Sequence, residues 1–162
     1  MKQEIYDWLE VWLVSFLTYD SITPNFLVSA SSLSESESHQ IAVDFMYAGL
    51  KSGILELLPQ GVLFKGGEFG FHGPLDYAQE LRKFNPFDYD EVFAGRVAWG
   101  GPQVALSALG REVLENSGLS FGDTVGDDKA ENRKKFLDGV INQFESLGVN
   151  LGDSPFILEK PS

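Results

Sequence analysis

The chain of 162 residues contains no cysteine and only two histidines, His39 and His72. The first absence excludes a disulfide framework, a thiolate metal site and a cysteine nucleophile, and it suits a reducing compartment. The second thins out acid–base catalysis, serine-type triads and zinc sites, all of which lean on imidazole. Long apolar runs are missing too, since no stretch approaches the roughly twenty residues that a membrane helix needs. The opening stretch MKQEIYDWLEVWLVSFLTYD is interrupted by Glu4, Asp7 and Glu10 and has Lys2 as its one basic side chain. It therefore reads neither as a signal peptide nor as a membrane span, and the expected location is the cytoplasm.

Bases are scarce relative to acids. Twenty-four Asp and Glu face twelve Lys and Arg, for a formal charge of −12 and a pI near 4.4. Residues 1–64 hold eight acids and two bases and residues 85–128 again eight and two, whereas 65–84 and 129–162 balance at three against three and five against five. All the excess belongs to two segments. A field of this sign repels nucleic acid and anionic lipid and speeds encounter with basic proteins. The competing reading is that acidity only maintains solubility.

Against these absences stand 43% hydrophobic residues and 13% aromatics, enough at this length for one core and a single domain over 1–162. Ile5, Trp8, Leu9, Trp12, Leu13, Phe16 and Leu17 recur at helical steps and predict an amphipathic first helix. In SSLSESESHQ, Ser34 and Glu37 have capping-box spacing ahead of the apolar run from Ile41, which predicts a second, central helix ending at Gly53. Ile54–Leu58 and Val62–Lys65 around PQG predict a small hairpin, and Pro74 opens a third helix that stops before Asn85-Pro86. PFDYDEVFAGRVAW then reads as a short helix or turn followed by an extended piece. Pro102–Asn116 and about 128–147 predict two more helices, and the tail from Val149 adds a strand or lies loose. The fold class expected is α+β, mostly helical, with four to five helices and a small β-hairpin or sheet.

Chemistry is sparse in this pattern. His39 falls in the first turn of the second helix as a solvated residue, and Gly73 and Pro74 prevent His72 and Asp76 from sharing a helix face. Gly66, Gly67, Gly70 and Gly73 lack the Lys-Ser or Lys-Thr of a phosphate loop. GDTVGDDKAEN does not follow the calcium-loop pattern, and Asp88 with Asp90 has no sign of a glycosidase arrangement. Arg133, Lys134 and Lys135 read as a solvated helix face. No catalytic residue, metal ligand or cofactor is expected.

One stretch does stand out: in PFDYDEVF, Asp88, Asp90 and Glu91 alternate with Phe87, Tyr89, Val92 and Phe93. Either Phe87 and Phe93 are core and the acids cap a turn, or the rings are interface anchors inside a charged rim. On the second reading Asp88, Tyr89, Asp90 and Glu91 are partner contacts. Glu35 and Glu37, at the positive end of the second helix, are capping residues first and further partner contacts on the same reading.

Two resemblances bear on function. IAVDFMYAGLKSGILELL and ALSALGREVLENSGL resemble winged-helix segments, which would imply a DNA-binding regulator; Asp44 and the single Lys51 give that helix no basic face. In size, acidity and the run FMYAGLKSGILELLPQGVLF followed by DYAQELRKFNP, the chain is similar to the small acidic immunity proteins of bacterial polymorphic toxin and contact-dependent growth inhibition systems. That resemblance implies a cytoplasmic protein that binds a basic toxin domain, often a nuclease, and occludes its active site without nucleic acid or membrane as partner. A winged-helix regulator and a small hydrolase or metal-dependent enzyme using His39 or His72 remain the alternatives.

Overall fold

Helix α2 (Glu35–Ser52) is the element around which the others assemble. In the computed structural model, which describes residues 1–29, 32–63, 69–123 and 126–151, every side chain of α2 from Ile41 to Met46 is buried. Its start is the expected capping box: Ser34 Oγ accepts from Glu37 N at 3.2 Å while Glu37 returns a carboxylate to Ser34 N at 3.1 Å. Its end is Gly53 in the left-handed region at φ 79°.

Around α2 lie α3 (Pro74–Lys83), the first strand β1 (Leu55–Leu58), a 3-10 turn at Pro24–Val28, and α6 (Ala130–Ser146). Helix α1 (Gln3–Ser15) packs on α6 and buries the predicted stripe. The Trp8 indole N–H reaches Leu27 O at 3.3 Å, and its ring meets Phe45 of α2 edge-on at 5.3 Å. Phe45 in turn meets Phe144 of α6 at 6.2 Å. Buried side chains from Ile5 to Leu151 form one contiguous cluster.

The mostly helical α+β architecture with a small sheet is thus as expected, but three segments differ from their reading. Strand β1 pairs with the distant β2 (Gln103–Leu106), antiparallel with Leu55 opposite Leu106 and Leu58 opposite Gln103. The expected partner strand at 62–65 begins as turn at Val62 and Leu63, with Val62 buried in the core; residues 64 and 65 lie outside the described ones. Helix α5 (Ala108–Asn116) starts six residues later than Pro102 because Ser107 is its N-cap, accepting from Gly110 N at 3.1 Å, which frees 103–106 for the sheet. The third difference is α4 (Phe93–Gly100), expected to be extended; it raises the α-helices among the described residues to six. The strand considered for the tail lies mostly at 152–162, outside the described residues.

Helix α4 is held by hydrogen bonds that neither helix could make alone. The last carbonyls of a helix lack intrahelical donors. Ala98 O of α4 would look to residue 102, but Pro102 has no N–H, and the Tyr77 hydroxyl of α3 donates to it instead at 2.7 Å. Burial pushes the Tyr77 phenol well above its usual range and so keeps it a donor. In the other direction, Trp99 Nε1 of α4 donates to Leu81 O at 3.1 Å and Phe84 O at 3.0 Å at the end of α3. Trp99 and Tyr77 are both fully buried.

Replacing Tyr77 by Phe keeps the ring and leaves Ala98 O without its donor, so Tyr77→Phe is expected to lower unfolding stability by about 1–2 kcal/mol. Urea denaturation checks this; an unchanged midpoint would contradict the role of the hydroxyl.

Candidate partner-binding surface

The interlock of α3 and α4 decides how residues 85–93 are displayed. The turn opens with Asn85, whose Oδ1 accepts from Phe87 N at 3.0 Å, while Asp88 N donates to Asn85 O at 3.1 Å. Tyr89–Glu91 form a single 3-10 turn, and α4 follows directly from Val92. Tyr89 O presses on the backbone of α4: a Cβ on Gly95 would sit 2.4 Å from that oxygen, so the approach requires glycine. The Tyr89 ring runs on toward Gly100, half-buried against the core.

This settles which rings of PFDYDEVF are core. Pro86 is buried and Tyr89 is half-buried, but Phe87 is 38% exposed, Val92 51% and Phe93 74%. The reading of Phe87 and Phe93 as core residues is therefore corrected: neighbouring Tyr89 takes the inward position, its backbone packed against Gly95, and Phe93 is left outside. Asp88, Asp90 and Glu91 are exposed on the same ridge. None of the three caps a helix through its side chain; Asp88 Oδ2 accepts a 3.4 Å bond from Asn85 Nδ2. Arg96, one turn along α4, places its guanidinium 5.9 Å from the centre of the Phe93 ring.

Phe93 also walls an open groove of about 650 Å³ between the segment Phe69–His72 and helices α3 and α4. Phe69, Phe71 and Val97 supply apolar surface, and Asp76 and Glu80 supply carboxylates. Asp76 Oδ2 accepts from the His72 backbone N at 2.9 Å, and Glu80 pairs with exposed Lys83 at 2.6 Å. His72 is exposed on the rim, off the helix that carries Asp76, as its flanking Gly73-Pro74 requires.

The other candidates lie elsewhere. Glu37 is committed to its cap, where bonds from Ser34 hold its carboxyl below the usual range, and it faces a separate recess with Lys2, Glu4, Ile5 and Gln40. Glu35 is exposed in the same first turn. His39 is not the solvated residue expected: its Nε2 lies 3.1 Å from Leu81 O and its ring meets Trp99 edge-on at 5.7 Å. Arg133 departs from the solvated face expected for it, bonding Gly126 O at 2.7 Å and lying 3.5 Å from Glu10, while Lys134 and Lys135 are exposed. Among the described residues no group of three or more His, Asp or Glu is placed to hold a metal ion, and no helix is long and apolar enough to cross a membrane.

One buried charge escaped the sequence reading. Asp44, 2% exposed, sits in α2 with Arg82 of α3 as its electrostatic counterpart, and its Oδ1 has no hydrogen-bond partner among the described residues. Burial pushes the carboxyl from an ordinary 3.8 up to about 7, with Arg82 pulling the other way. In the sequence it is the one acid in the apolar run 41–50, a pattern equally suited to a short polar edge.

Compared with protein-family models, curated proteins and solved structures, the chain gives no match.

Because the folded state holds the Asp44 proton more tightly than the unfolded chain, the stability tied to it is full below pH 3.8 and is lost as pH rises through about 7. Asp44→Asn cannot ionise, so its stability relative to the parent should rise across that window by something on the order of 2–4 kcal/mol. Parallel denaturation profiles for the two proteins between pH 4 and 8 would contradict this.

Proposed function

We propose that the chain is an immunity protein: it binds a basic toxin domain in the cytoplasm of the producing cell and neutralises it by covering its active site. The observation that carries this reading is Phe93, three-quarters exposed at the head of α4, with exposed Phe87 and Val92 beside it. A single exposed apolar residue is ordinary on a protein surface, but three within seven residues, interleaved with three exposed carboxylates, make an anchor-and-rim pattern. The turn bonds and the Tyr89–Gly95 contact preset the ridge, which lowers the ordering cost of association.

In this mechanism Asp88, Asp90 and Glu91 take the positions that substrate phosphates would occupy on a cationic nuclease, and the rings exclude water from the contact. The acid excess of residues 1–64 and 85–128 attracts the toxin over longer range and disfavours nucleic acid as a competing ligand. Glu35 and Glu37 add to that field from the start of α2.

The test is titration calorimetry and stopped-flow binding with any basic toxin domain encoded beside this chain, together with protection of cells that express that toxin. Phe93→Ala should weaken binding about 30-fold, the scale of an interface hot spot. The triple change Asp88→Asn, Asp90→Asn, Glu91→Gln should slow association and flatten its salt dependence. Absence of a complex and of protection would refute the proposal.

A further inference from the structure

The groove beside the ridge has a composition that the ridge alone does not explain. Asp76 and Glu80 are four residues apart on α3 and therefore lie on one face of it, and the opposite wall is Phe93, Ala94 and Val97 of α4. Phe69 and Phe71 add two rings, and His72 lines the rim. We infer that this groove seats a single arginine side chain of the basic partner, its stem and guanidinium face laid on Phe93 and Phe69 and its N–H groups directed to Asp76 and Glu80. The inference rests on the reading of this surface as a protein-binding one and names what the partner inserts.

Three features select arginine. The guanidinium is planar and weakly hydrated, so it stacks on rings and bonds carboxylates at once, which the compact ammonium of lysine does poorly. Phe93 is 74% exposed and lines the groove, so its ring offers apolar surface on which a guanidinium can stack once the local Arg96, 5.9 Å from the ring centre, is displaced. Both carboxylates keep acceptor capacity: Asp76 gives one oxygen to the His72 N–H, and the partner of Glu80 is Lys83, a solvent-exposed pair of the kind that contributes little and exchanges readily. The groove is also an open trough against the ridge, which lets a side chain enter while its backbone stays on the surface formed by Phe87, Val92 and the acids.

N-acetyl-arginine amide is the probe, titrated into the ¹⁵N-labelled full chain and followed by amide chemical shifts, with N-acetyl-citrulline amide as its neutral counterpart. Saturable shifts are expected at Phe71, His72, Asp76, Glu80, Ala94 and Val97, and none with the citrulline compound. Glu80→Gln should weaken the arginine probe about tenfold, as loss of one charged hydrogen-bond partner does. Ala94→Trp, at an exposed position on the groove wall, should abolish binding while leaving thermal unfolding unchanged. Shifts spread over Asp88–Glu91 and Glu35 instead, equal response to citrulline, or full binding to Ala94→Trp would overturn the inference. The probe needs no toxin, so the two readings fail separately: arginine seated in the groove without a toxin complex counts against the immunity role. A toxin complex of unaltered affinity with Ala94→Trp counts against the arginine seat.

Discussion

The surface described here depends on one exchange of hydrogen bonds between α3 and α4. Each helix ends with carbonyls it cannot satisfy, and each supplies an aromatic donor to the other: Tyr77 to Ala98, Trp99 to Leu81 and Phe84. Two buried rings thereby fix the angle between the helices and the position of the turn that joins them. Leu81 O also receives His39 of α2, so the same point ties the pair to the central helix. With these donors in place the chain from Asn85 to Phe93 has little freedom, and its rings are sorted by geometry: Tyr89 turns inward over Gly95, and Phe93 is left outside.

That sorting answers why carboxylates and large rings stand side by side in PFDYDEVF. The acids are there as neighbours of exposed apolar groups rather than as caps. An outward Phe gains free energy only when something covers it, and surrounding charge restricts what can cover it to surfaces of opposite sign. The groove has the same mixture, with Phe93 on α4, Phe69 and Phe71 on the segment before α3, and carboxylates on α3.

Elements whose signal is local were legible in the sequence. The α1 stripe from Ile5 to Leu17, the Ser34–Glu37 box, the Gly53 stop and the Pro74 start each depend on residues within a few positions of one another, and each is present. Elements whose signal is distant were not. Strand β1 finds its partner 45 or more residues away, from Leu58 to Gln103, so the nearer 62–65 looked the better match. Pro102 suits a first helical turn, and only the pairing of 103–106 with β1 moves the helix start to the Ser107 cap. Helix α4 has two glycines and a β-branched residue in eight positions, and what makes it helical is packing by Trp99, not propensity. For the candidate site, the alternation of acids and rings in PFDYDEVF, whose Asp88, Asp90 and Glu91 are exposed, was legible. The groove was not, because Phe69, Asp76, Glu80 and Phe93 converge only after α3 and α4 have locked together.

On the proposed function, the partner covers the α3–α4 face. Hydrogen–deuterium exchange of the chain, free and in complex with a basic toxin domain that it neutralises, tests that most directly. Slowed exchange is predicted at residues 69–76 and 85–97, with the α5–α6 face unaffected. Protection centred on α5 and α6, or none at 85–97 in a complex that demonstrably forms, would contradict it.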